Sequence, residues 1–257
     1  MAFATRIYAN AEFDAGYDSF VRTTGGELDF SDGVQVRALL VWLNSWGCRQ
    51  FAIEHHARSA VAIAEWAVSW ETRLPDKRIP PEALDDPAID KASDSYAVLM
   101  GVFASERKGV AGPHTVRVGP TGAAKILFAA RPESLPPWDE PIRARLGYDG
   151  SPTSYAEYLR WVRNEIDELC RDAAANGVKA TDIPARLGRA RSSLPKMVDE
   201  YNWVTMTHSL KSPSAAEVAE WAAWARVKPE GPSASPSHEL RHPEASRSGA
   251  MQPCHLK

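Results

Sequence analysis

Tyr155, Leu159, Val162, Ile166 and Leu169 recur at steps of four and three residues, the spacing that puts apolar side chains on one face of a helix. With Ser154 and Glu157 as a capping-box pattern in front, this predicts a long amphipathic helix that closes near Asn176 and Gly177. Helical spacing returns almost everywhere else. Val36, Leu39, Leu40 and Leu43 predict a helix over residues 34–46, stopped by Gly47, and a second is expected over residues 51–73, ending before Pro75. Weaker helical segments are expected over 95–106 and 192–206, and another over 213–227 with Ser214 and Glu217 as its capping pattern. The Pro- and Asp-rich connection over 75–90 reads as a hinge or surface loop. No run of alternating β-branched residues suggests a strand. An all-α fold follows.

The chain has 257 residues, enough for one large domain or two small lobes. Residues 228–257 are rich in Pro, Ser, His and Gly with few large apolar side chains, so we expect a disordered tail there and an ordered domain over 1–227. A net charge of −3 argues against holding nucleic acid through bulk positive charge, although it leaves room for a local basic face. The three cysteines, Cys48, Cys170 and Cys254, are too far apart in sequence for a zinc-type or iron–sulfur spacing, and we expect reduced thiols in a cytoplasm. His55 and His56 are adjacent and so point to different helix faces, which argues against a metal site. The first residues carry no basic segment followed by an apolar core, and no apolar run is long enough to span a bilayer. A soluble protein without metal or cofactor is expected.

The stretch from Val118 to Gly147, VGPTGAAKILFAARPESLPPWDEPIRARLG, carries the functional signal. Val118-Gly119-Pro120-Thr121-Gly122 has the composition of a tight turn that delivers the chain into a helix of small residues. Free backbone N–H groups at such a helix start suit a phosphate oxygen without selecting a base, and the same turn would equally join two packed helices. Pro136, Pro137 and Trp138 then lead to Asp139 at the head of a further helix. An aspartate there either caps the helix or has a carboxylate free for chemistry.

The twenty residues between Gly119 and Asp139, and the helix-like run from Glu140 to Gly147, resemble the helix-hairpin-helix (HhH-GPD) DNA glycosylase superfamily. The resemblance is local to about thirty residues, with the hairpin motif near 114–130, and the helical pattern extends it loosely over 34–227. It implies a two-lobed helical fold. It also implies a monomer acting on double-stranded DNA, with Val118, Gly119, Thr121, Gly122 and Lys125 at the DNA and Asp139 as catalytic carboxylate. The chain departs from the family at Arg117, where the first hairpin glycine would stand. Thr121 occupies the position of the lysine that strand-cutting members use as nucleophile. The implied activity is therefore that of a monofunctional DNA glycosylase, hydrolysing the N-glycosidic bond of a flipped damaged or modified base and leaving an abasic site. Repair, or antiviral defence against phages with modified DNA such as hypermodified cytosine, are the two settings. Lys125, one turn beyond Thr121 on the same helix face, is the alternative nucleophile. A non-catalytic DNA-binding protein of the same fold and a helical interaction protein are the rival readings.

A glycosylase must extrude a nucleotide and fill the space it leaves. Trp46, Arg49 and Gln50 beside Gly47, and Trp138 next to Asp139, are the candidates for base pocket or wedge, while Trp42, Trp66 and Trp70 read as packing. Arg186, Arg189, Arg191 and Lys196 form the densest basic run, either a solvated face or a patch for backbone phosphates.

Overall fold

Helices account for most of the computed structural model, which describes residues 1–10, 14–109 and 112–226. Their order is α1 (Ala2–Asn10), α2 (Asp14–Thr24), α3 (Gly33–Ser45), α4 (His56–Trp70) and α5 (Asp86–Met100). A two-stranded sheet follows, β1 (Phe103–Gly109) and β2 (Gly112–Arg117), and then α6 (Gly119–Ala130), α7 (Glu140–Leu146), α8 (Pro152–Ala175), α9 (Ile183–Arg186), α10 (Leu194–Asn202) and α11 (Ala215–Arg226). Residues Met1–Ser212 make one compact unit, and α11 belongs to a second that is described by itself. The tail expected over 228–257 lies outside the described residues.

The predicted helix over 34–46 forms as Gly33–Ser45, with the Asp32 carboxylate accepting from the Val34 N–H at its start and Gly47 at a φ of 79° just beyond its end. The segment expected as one helix over 51–73 divides into a 3₁₀ turn at Ile53–His55, α4, and a second 3₁₀ turn at Glu71–Arg73. The long helix forms as Pro152–Ala175, but its cap is Ser151, whose hydroxyl accepts from the Ser154 N–H. Ser154 itself donates its hydroxyl to Asp149, so the expected Ser154–Glu157 box is not made. Ser214 and Glu217 do form their box: the Ser214 N–H donates to Glu217 at 2.7 Å and the Glu217 N–H to the Ser214 hydroxyl at 3.3 Å.

Two expectations are corrected. The connection over 75–90 is shorter than the sequence suggests, because Asp85 caps the Ala88 N–H and Pro87 falls in the first turn of α5, where it needs no N–H partner. The helix expected over 95–106 stops at Met100, and the chain turns into an antiparallel hairpin in which Gly109 pairs with Gly112 and Phe103 with Arg117. Pairing, not side-chain type, makes these strands: only Phe103, Ala104 and Ser105 of β1 are buried, and the Ser59 hydroxyl donates to the Ala104 carbonyl where the register slips. The second strand therefore leads directly into Val118 and the glycine turn that starts α6.

The core of the first unit is a continuous apolar cluster built around α3, α5, α6 and α8. Trp42 and Phe128 are fully buried in it beside Tyr17, whose ring stacks on Phe128 at 5.4 Å. A second aromatic group, Tyr96, Trp138, Tyr155 and Tyr158, fills the space between α5, α8 and the approach to α7. Trp66 is buried and Trp70 partly so, as packing requires.

Candidate active site

α6 is buried along nearly its whole length, so a lysine on it must find a partner or lose its charge. Lys125, 2 % exposed, finds two: its ammonium donates to the Trp46 carbonyl at 3.0 Å and to the Asp139 carboxylate at 2.8 Å. Burial opposes the lysine's charge, but Asp139, with Cys48 adding to it, more than offsets that, and the Lys125 pKa lies above its ordinary value. The same burial pushes the Cys48 thiol up to about 11, which makes it an inert neighbour.

Asp139 sits at the N-cap position of α7 with extended backbone, yet its side chain makes no capping hydrogen bond. The carboxylate faces Lys125 instead, with about a quarter of its surface open. Its position is over-determined from behind. Tyr158 donates its hydroxyl to the Pro137 carbonyl at 3.0 Å, and the Trp138 ring lies flat on Tyr158 at 5.0 Å. Arg143 donates to the Trp138 carbonyl at 3.1 Å and to the Thr121 hydroxyl at 3.0 Å, which ties the start of α7 to the start of α6.

In front of the Lys125–Asp139 pair is a cavity of about 270 Å³. Its walls are Tyr8 from α1, Ser45, Trp46 and Gly47 from the end of α3, Lys125, Asp139, and Asp199 and Trp203 from the end of α10. Tyr8 and Trp203 meet edge to face at 5.5 Å. Trp203 opens a single π-helical turn, Trp203–Thr207, a local widening of the helix often found where a side chain must be re-aimed.

Asp199 is the most perturbed acid of the site. It is 6 % exposed, its Oδ1 has no hydrogen-bond partner among the described residues, and its pKa is raised from 3.8 because burial and the nearby Asp139 outweigh the help of Lys125 and Lys196. The cavity thus holds one carboxylate committed to an ion pair and one carboxyl that the fold favours in its protonated form, the division of labour by which paired acids serve as base and acid.

Of the residues singled out in the sequence, Asp139, Lys125 and Trp46 come together at this cavity. Others do not reach it. Trp138 is fully buried in the aromatic cluster, because the extended backbone at Asp139 turns adjacent side chains to opposite sides. Gln50 braces the turn from inside, donating to the Val118 carbonyl at 2.9 Å, and Arg49 is exposed near the hairpin, its carbonyl accepting from Arg107. Val118 and Gly122 are buried; a methyl group on Gly122 would stand 2.5 Å from the Gln50 amide nitrogen. Gly119, at a φ of 66°, and Thr121 remain partly open at the start of α6. The basic run divides: Arg186 and Arg191 are exposed, whereas Arg189 and Lys196 pair with Asp14 and Glu200, Lys196 to Asp14 at 2.7 Å and Arg189 to Glu200 at 2.5 Å. This ion-paired quartet, with Lys196 and Glu200 buried and Arg189 and Asp14 partly so, corrects the expectation of one basic face.

Tyr8, Asp199 and Trp203 were not singled out in the sequence. Asp199 lies in a helix that is buried from Leu194 to Glu200, a setting that the sequence did not announce. His56, buried between Asn44 and the Phe51 carbonyl, and His55, which accepts from the Glu106 N–H, have structural partners, and no group of His, Cys, Asp and Glu suited to a metal occurs among the described residues. Nor is any helix among them long and apolar enough to cross a membrane. No family model matches the chain, and no curated protein or solved structure matches it either.

Proposed function

We propose that the protein is a monofunctional DNA glycosylase of HhH-GPD-like fold, which hydrolyses the N-glycosidic bond of a base flipped out of double-stranded DNA. The observation that carries this reading is the Lys125–Asp139 pair at 2.8 Å, held at the wall of a cavity lined by the aromatic rings of Tyr8, Trp46 and Trp203. Aromatic walls suit the faces of an extruded base. A fixed carboxylate at the rim suits the positive charge that develops on the sugar as the base departs, and can orient or deprotonate the attacking water.

Lys125 supports hydrolysis rather than strand cleavage. An amine attacks the sugar only when unprotonated, and the carboxylate beside Lys125 keeps its proton on. No cofactor takes part in this reading. The duplex would lie against the hairpin and the start of α6, where Arg49, Arg107, Lys108, His114 and Arg117 are exposed and Glu106, the acid among them, is already paired with Arg58. The reading is tested by incubating the protein with duplexes that each carry one uracil, hypoxanthine, 8-oxoguanine or 5-hydroxymethylcytosine, and then breaking abasic sites with alkali. Strand breaks that appear only after alkali and vanish with Asp139→Asn are expected. Breaks that persist in that variant remove Asp139 from the mechanism.

A further inference from the structure

We propose that Asp199 is the general acid of this site, giving its proton to the departing base while Asp139 serves the sugar and the water. The proposal rests on the glycosylase reading and extends it to the base side of the bond. Three observations carry it. Asp199 lines the same cavity as Asp139 and Lys125. It is almost wholly buried, and its Oδ1 meets no hydrogen-bond partner among the described residues. A buried carboxyl oxygen without a partner is costly to ionise, which favours the protonated acid at this edge of the cavity. Among the described residues it makes no ion pair, whereas the neighbouring Asp139 is bound to Lys125 and Glu200 to Arg189 and Lys196.

The charged and titratable groups around Asp199 come from every neighbouring element: Asp139 before α7, Lys125 on α6, Tyr8 on α1, Tyr158 on α8, and Lys196 and Glu200 on α10 itself. Burial and Asp139 favour the protonated carboxyl, against the pull of the two lysines. A carboxylic acid kept neutral in this way can donate a hydrogen bond and then a proton.

The step balances. As the bond between C1′ and the base nitrogen breaks, its electron pair leaves with the base, and the Asp199 proton moves onto that base. Water forms the new bond to C1′ and yields a proton to Asp139. Asp199 ends ionised and Asp139 protonated, and exchange with solvent resets both, so the net change is the consumption of one water. The substrates that profit are bases that leave poorly unless protonated and that turn a ring nitrogen or carbonyl oxygen toward Asp199.

The experiment measures single-turnover base release from the four duplexes, with wild type and Asp199→Asn, from about pH 5 to about pH 9. The expected result is a fall of about a hundredfold or more in the variant, largest for the base that leaves most reluctantly. Wild-type rate should also decline on the alkaline side as Asp199 loses its proton, and that decline should be missing from the variant. Equal rates in the two proteins overturn the proposal and leave the glycosylase reading standing. A wild-type rate that does not decline toward alkaline pH overturns it without recourse to any variant. Wild type inert on every duplex removes both.

Discussion

Asp139 stands at the helix start where an aspartate ordinarily caps the backbone, and gives its carboxylate to Lys125 at 2.8 Å instead. Capping is therefore not what the residue does, and Asp139→Asn does not keep a cap that was never made. The change keeps an amide oxygen beside the ammonium but removes its counter-charge, leaving a nearly buried cation between two neutral carbonyls, and is expected to destabilise the fold by about 3 kcal/mol, the range for breaking a buried pair. The pH dependence should change sign. In wild type the raised Lys125 pKa contributes stability below 10.5 that is lost above the folded value. In the variant burial lowers that pKa, the folded state binds fewer protons than the unfolded one, and stability should rise toward alkaline pH. Melting curves of both proteins across that range check this, and parallel curves would show that Asp139 does not set the lysine's charge.

Borohydride should trap no covalent adduct between the protein and a duplex carrying a substrate base or an abasic site. Lys125 is the one amine at the cavity among the described residues, and its raised pKa keeps it protonated and unreactive near neutrality. Gel analysis after reduction decides the matter. An adduct that disappears with Lys125→Ala would make the lysine a nucleophile and the protein a strand-cutting enzyme.

Asp199 also leaves a signature in stability. Its folded pKa is raised above 3.8, so the folded state holds a proton that the unfolded chain releases, and wild-type stability falls as pH rises from the ordinary carboxylate range toward the raised value. Asp199→Asn removes this contribution while keeping the shape. The variant should gain on wild type steadily as pH rises through that window, in thermal melts run at matched ionic strength. A constant difference would mean that Asp199 is ionised at all those pH values.

What the sequence made legible was local. Asp139 stood out because a glycine turn, a small-residue helix and a proline-fixed approach lie within thirty residues, and Lys125 came with it on the same helix. Tyr8, Asp199 and Trp203 reach the cavity only because α1 and the end of α10 pack together, although they lie almost two hundred residues apart and no periodicity announces their meeting. The hairpin was missed for a related reason. Phe103–Gly109 and Gly112–Arg117 lack the β-branched alternation of a half-buried sheet, and cross-strand pairing over the Ser59 end decides their shape. Arg189 and Lys196 looked like surface charge until α2 supplied Asp14 from the far end of the chain.

The hairpin carries the last prediction. Arg107 and Lys108 are exposed at its outer end, paired across the ladder with His114 and Pro113. If the duplex lies along this face, the two side chains neutralise backbone phosphates and release counterions, which makes affinity depend on salt but not on sequence. Replacing both by glutamine should leave the melting temperature unchanged, since neither is buried. The slope of log affinity against log salt should become shallower by about 0.9 for each phosphate that the protein no longer neutralises. Base release at saturating protein should keep its rate, because the cavity residues are untouched. Arg186→Gln with Arg191→Gln, two exposed arginines on and just beyond α9, serves as the control and should leave the slope as it is. A slope altered by the control pair and not by the hairpin pair would place the duplex near Arg186 and Arg191 and not along the hairpin.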